Sequence, residues 1–312
     1  MTNISRKDFF KLSIAAIAVP TTVLGKVATQ VKTRLNKLDD TPYFSHPGLQ
    51  VYTLREKMAK DPIGTLERIA KIGYKELEFY DTRMLPMATQ VKDLGMSIVS
   101  THFMSGFISG VWDTTYFKSP PKENFESLLE QCTKYGIKNV GIGYLSKAER
   151  GTLDDYKKFA DKANIAGEKA KKAGIQLYYH NHSFEFAPTQ GSTPMAVLIE
   201  RFDKELVKLE LDVFWVSISG NSAVDWIKKL AGRVMFLHLK DMKKGTPVNE
   251  TTEGVEPDSF TALGEGVLDF KSILTAAHHS KVPYTFVEQD HSSIDPFDSI
   301  TNSLKYLQSI KL

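Results

Sequence analysis

Glu78, His102, His180, His182, Asp212, His238, Lys240, Asp241, Glu288 and Asp290 are scattered along the chain, yet each stands at or just past the end of a short β-type run. Alternation along a strand puts His180 and His182 on one face, and His238 and Lys240 on one face. If those strands lie parallel around a common axis, their ends bring imidazoles and carboxylates together as a shell for one divalent metal ion. Mixed nitrogen and oxygen donors suit Mn²⁺, Zn²⁺, Co²⁺ or Fe²⁺, and two or more histidines argue against an all-oxygen Mg²⁺ or Ca²⁺ cage. The chemistry available to such a set is polarisation of substrate oxygens combined with proton transfer by a nearby carboxylate or imidazole.

Eight β-type runs would carry these residues: 50–54, 76–80, 97–103, 138–143, 175–181, 207–212, 234–239 and 284–288. Stretches with apolar residues at three- and four-residue steps alternate with them, near 64–73, 84–95, 122–135, 152–173, 193–203, 222–231, 268–280 and 298–310. Gly73, Gly95, Gly136 and Gly174 stand where a helix would end just before a strand. No Gly-x-Gly-x-x-Gly follows the first run, so the pattern predicts a closed (β/α)8 TIM barrel, an α/β fold, over residues 48–312 rather than a doubly wound sheet. Run four, ending in Gly143-Tyr144, brings no candidate side chain, and the longest insertion, Met242 to Gly266, follows run seven on the face where barrels place substrate loops.

The ordered set Tyr179-His180-Asn181-His182-Ser183-Phe184-Glu185-Phe186, Leu211-Asp212, His238-Leu239-Lys240-Asp241, Gly264-Glu265-Gly266 and Val287-Glu288 resembles the xylose isomerase-like superfamily of sugar isomerases and epimerases over about residues 48–310. The resemblance implies one divalent metal and matches Asp212, His238 and Glu288 to three of the family's ligands. His180 falls near the family's strand-five glutamate and is the expected fourth ligand, with His182 next. Trp215 stands where many relatives have a substrate-holding histidine; it either stacks on a sugar face or is a buried aromatic. Glu288, Glu185 and His182 are the catalytic candidates; Glu78, His102, Trp215, Lys240, Asp241 and Glu265 are the substrate-binding ones. The implied reaction is isomerisation or epimerisation of a small carbohydrate by proton abstraction through an enediolate. The same segment around His180 also resembles inosose dehydratases and enzymes that cleave 3-keto-glycosides by elimination, which makes a lyase the alternative; a non-catalytic sugar-binding barrel is the alternative from another class.

Plainer readings accompany several of these residues. His102 could be a satisfied core histidine, Glu78 a charge paired with a lysine, and Lys240 with Asp241 an ion pair; Cys132 reads as part of a buried helix face, and His278 and His279 as surface. Residues 1–28 place Arg6, Lys7 and Lys11 before an apolar run, Leu12 to Leu24, too short for a membrane span, which predicts an export signal and a periplasmic or secreted protein without a membrane anchor, a cytosolic protein with a disordered start being the plainer alternative; Ser5 to Lys11 resembles a twin-arginine signal with Lys7 in place of the second arginine. This segment holds four basic residues against Asp8, a net +3 that equals the charge of the whole chain, so the remainder is about neutral and offers no electrostatic footprint for nucleic acid. Residues 29–47 form a lead-in, whose Tyr43 to Pro47 are expected to cover the barrel bottom or reach a partner subunit in a homo-oligomer.

Overall fold

Alternating short apolar runs and amphipathic stretches fold as strands inside and helices outside, in a computed structural model that describes residues 47–113 and 120–311. The expected export signal and nearly all of the lead-in lie outside the described residues. The strands are β1 (Gly48–Gln50), β2 (Glu76–Phe79), β3 (Ser97–Phe103), β4 (Asn139–Ile142), β5 (Gln176–His180), β6 (Val207–Asp212), β7 (Val234–Leu239) and β8 (Tyr284–Val287). Each pairs in parallel with the next, and β1 pairs in parallel with β8, which closes the barrel.

The helices that follow these strands are α1 (Pro62–Ile72), α2 (Ala88–Asp93), α3 (Phe125–Lys134), α4 (Leu153–Lys172), α5 (Pro194–Arg201), α6 (Ala223–Lys229), α7 (Phe270–His279) and α8 (Pro296–Ser309). Their starts are written locally: Asp61 caps α1 with Pro62 at its first position, and Thr152 and Asp155 form a reciprocal capping box on α4. α1 ends at Gly73, whose φ of +119° lets the chain turn back into β2 without the penalty a side chain would bring. Cys132 is buried on the inner face of α3.

The first strand differs from its sequence reading. β1 covers 48–50, and Val51–Leu54 form a 3₁₀ turn, because the Gln50 side chain accepts a hydrogen bond from the Tyr52 amide and turns the chain out of the sheet. Gly48 belongs to the strand for a packing reason: a Cβ there would lie 2.3 Å from the Phe286 ring, so only glycine lets β1 close against β8.

Side chains that alternate inward stack in layers along the axis. Tyr178, Phe236 and Phe286, from β5, β7 and β8, form an apolar floor. Two residues further along the same strands stand His180, His238 and Glu288, and two further again His182, Lys240 and Asp290. The plain strand β4 makes room for them: a Cβ on Gly141 would meet the Tyr178 ring at 2.3 Å, and one on Gly143 would meet the His102 Nδ1 at 2.9 Å.

Candidate active site

Above the apolar floor lies a fully buried layer of charge. Glu78 on β2 accepts hydrogen bonds from Gln50 (2.8 Å), Ser100 and Tyr178 (each 2.5 Å), and its Oε2 lies 2.5 Å from the His238 Nε2. Glu210 on β6 receives three imidazoles: its Oε2 is 2.8 Å from the His102 Nε2 and 3.1 Å from the His180 Nδ1, and its Oε1 is 3.1 Å from the His238 Nε2. Each of His180 and His238 therefore has one ring nitrogen tied to a carboxylate below and the other turned toward the strand ends.

At the strand ends those second nitrogens meet two more carboxylates. The His238 Nδ1 is 2.7 Å from the Glu288 Oε2 and 3.8 Å from the Asp212 Oδ2, and the His180 Nε2 is 4.0 Å from the same Asp212 oxygen. Asp212 is held by the backbone: its Oδ1 caps the short helix Val213–Ile218 by accepting from the Phe214 and Trp215 amides at 2.9 and 3.1 Å. That leaves its Oδ2 free to face the axis. The His238 Nδ1, Asp212 Oδ2 and Glu288 Oε2 are all buried, and none makes a directed hydrogen bond. Three buried donor atoms of this kind, converging within 4.8 Å of one another, have the chemistry of a divalent-metal shell, and the His180 Nε2 lies beside them, 4.0 Å from the Asp212 Oδ2. Lys240 stands beside them, with its Nζ 3.1 Å from Asp212, 2.9 Å from Glu288 and 2.9 Å from Asp290.

The sequence model of the xylose isomerase-like TIM barrel family matches residues 66–310. The chain belongs to this family. Among its relatives is an inosose dehydratase of Clostridium perfringens (strain ATCC 13124), 30% identical over 275 residues that cover 78% of this chain and 88% of the relative. In fold, this xylose isomerase-like barrel is similar to a sugar phosphate isomerase/epimerase of Parabacteroides distasonis ATCC 8503 (TM-score 0.71, 22% identity, 85% of this chain and 98% of that one). It is also similar to the IOLI protein solved with a bound zinc atom (TM-score 0.61, 15% identity, 85% and 96% of the two chains).

Electrostatics in this xylose isomerase-like site follow from burying five acids with few cations. Burial alone would raise the Glu78 carboxyl, but His102 and His238 beside it hold it down at about 2. Glu288 is likewise held well below the carboxylate range, because Lys240 and His238 outweigh its burial. Asp212 goes the other way: burial raises it to about 6 against the pull of Lys240 and His238. Burial would lower the His238 imidazole, yet Glu210, Glu288 and Glu78 keep it cationic, and a divalent cation at Nδ1 would take the place of that proton. His180 and His182 are neutral, lowered by burial and by the neighbouring positive groups.

The remaining sequence candidates divide by position. Trp215 is buried against Phe214, Ile218 and Phe260 rather than presented as an open sugar-stacking face, its ring 5.3 Å from His182 and 5.6 Å from the Lys240 Nζ, and His182 is stacked on Phe184 with its buried Nδ1 unpartnered. His102 and Glu78 belong to the buried layer one step below the metal-capable set. Glu185 is on the helix side of β5, where it accepts from the Tyr179 hydroxyl (2.6 Å) and the His182 amide (2.8 Å), so it shapes the loop and does not face the axis. Among the described residues Asp241 pairs with no lysine; its oxygens accept from the amides of Met242, Gly264, Gly266 and Leu268, which folds the 242–268 insertion back onto the barrel. Glu265, at the returning end of that insertion, is exposed and contacts Thr261 and Asn302. The sequence reading passed over Glu210, although it stands two residues before Asp212 on one strand and so shares its inward face.

Proposed function

We propose that this barrel is a divalent-metal-dependent isomerase or epimerase of an unphosphorylated keto-sugar, with Asp212, His238, Glu288 and His180 holding the ion. The observation that carries the reading is the convergence of the buried His238 Nδ1, Asp212 Oδ2 and Glu288 Oε2 within 4.8 Å of one another. A divalent cation there would withdraw electron density from neighbouring substrate oxygens and acidify the carbon-bound hydrogen between them. His182, kept neutral and half-buried between Phe184 and Trp215, is the free imidazole that can accept that proton. Lys240 places its ammonium beside Glu288 and Asp212 and can stabilise negative charge that develops on a substrate oxygen. Returning the proton to the opposite face of the same carbon epimerises it; returning it to the adjacent carbon isomerises.

A second reading, loss of water after the same proton abstraction, is favoured by the 30% identity to an inosose dehydratase. An uncharged substrate suits the charge balance in both cases: among the described residues around the ion set, Lys240 is the ammonium, and three carboxylates already surround it. The basic-then-apolar segment over 1–28 supports an exported protein, which N-terminal sequencing of the periplasmic fraction would test by finding a mature start after about residue 24.

The decisive experiment incubates metal-loaded protein with a panel of ketoses and keto-inositols in D2O. Deuterium at the carbon beside the carbonyl, lost in His238→Gln, is the expected result. A new epimer or aldose then identifies the first reading, and a 1,2-dicarbonyl product one water lighter than its substrate the second. Sugar binding without deuterium exchange at any metal loading would overturn both and leave a carbohydrate-binding barrel.

A further inference from the structure

Glu210 lies one layer below the four donor atoms and touches three imidazoles at once. Two of them, His180 and His238, supply nitrogens to the ion set, but Glu210 does not hold them equally. The His238 Nε2 has a closer partner in Glu78, at 2.5 Å against 3.1 Å to Glu210. Among the described residues, the His180 ring shares its hydrogen bond with Glu210, between Nδ1 and Oε2 at 3.1 Å. A neutral imidazole carries one proton and one lone pair. If Nδ1 donates to Glu210, the lone pair is on Nε2, the nitrogen that faces the Asp212 Oδ2. Were the proton on Nε2 instead, His180 would present a donor to the ion and a lone pair to a carboxylate, both repulsive.

We propose that Glu210 is the positioning residue that makes His180 a metal ligand, by fixing its tautomer and ring orientation so that Nε2 faces the ion. His102 completes the device: its Nε2, 2.8 Å from the same Glu210 oxygen, holds the carboxylate against β6 so that it cannot swing toward the ion itself. Glu78 performs the corresponding task for His238, from the other side of the layer. Carboxylate–imidazole–metal chains of this form raise the basicity of the ligand nitrogen, and losing the carboxylate weakens metal binding by roughly 10- to 100-fold. The inference rests on the metal reading above.

The test is Co²⁺ binding, read by the visible spectrum and by competition with a chromophoric chelator, in wild type, Glu210→Gln, His180→Gln and the double variant. Glu210→Gln and His180→Gln are expected to show the same altered Co²⁺ spectrum and similar roughly 10- to 100-fold losses of affinity, with no further loss in the double variant. A Glu210→Gln spectrum and affinity equal to wild type, or losses that add in the double variant, would overturn the proposal. Glu210→Asp keeps the charge but withdraws it from Nδ1 by one methylene; if Glu210→Gln does not fold, this variant is expected to reproduce the His180→Gln spectrum, and a wild-type spectrum would overturn the idea equally. Failure of wild-type protein to bind Co²⁺ would instead remove the metal reading, and this inference with it.

Discussion

At the scale of single residues, Asp212 serves two masters with two oxygens. Oδ1 caps a helix and Oδ2 faces the axis, so Asp212→Asn keeps a cap acceptor while placing an amide nitrogen where an ion needs a lone pair. The variant is expected to fold with a metal-free thermal midpoint near that of wild type and to lose its metal; elemental analysis beside a melting curve checks both, and retained metal would exclude Oδ2 as a ligand. Glu185 makes a different prediction. Burial raises its carboxyl to about 7, above the unfolded value near 4.5, so the folded chain binds the extra proton between those limits and loses stability as pH rises through them. Glu185→Gln cannot lose a proton, so its melting temperature relative to wild type should move in the variant's favour from pH 5 to 8. A constant difference would mean that the carboxylate is ionised throughout.

At the scale of elements, the insertion after β7 is organised by one buried side chain. Asp241 accepts four backbone amides, at 2.8 to 3.1 Å, from Met242 and from the 264–268 segment. Asp241→Asn would turn an amide NH2 toward two of those donors, and a cost of about 2–4 kcal/mol is expected from leaving them unsatisfied. Urea unfolding measures the loss, and faster amide exchange confined to residues 262–268 would locate it; unchanged exchange there would show that the loop holds itself. The same element explains why Glu265 does not enter the site. A Gly-Glu-Gly turn bends its backbone toward Asp241, and the glutamate side chain is left facing solvent.

At the scale of the whole molecule, a nearly neutral body and a strand-end site whose one described ammonium is surrounded by acids offer little long-range attraction to a phosphorylated sugar. The value of kcat/KM for the best substrate is expected to change by less than about twofold between 0.05 and 0.3 M salt; a steep fall with salt, together with a preference for sugar phosphates, would contradict this. Much of the architecture was legible because it is periodic: eight strand–helix alternations specify a barrel, and a barrel gathers strand ends, which is why Asp212, His238 and Glu288 could be grouped from spacing and motif. β1 was misplaced because a glycine at 48 signals a turn until Phe286 is seen filling the space of its missing side chain. Glu210 was passed over because a carboxylate within an apolar run looks like a tolerated charge until three histidines from other strands are found around it. The sequence by itself determined the eight-unit barrel and which residues end its strands, because local periodicity and capping are encoded within a few residues. Only the tertiary structure decided which nitrogen of each histidine is open, that Glu185 faces the helices, and that Asp241 builds a loop, because those outcomes depend on partners tens to hundreds of residues away and on which side of a strand each loop returns.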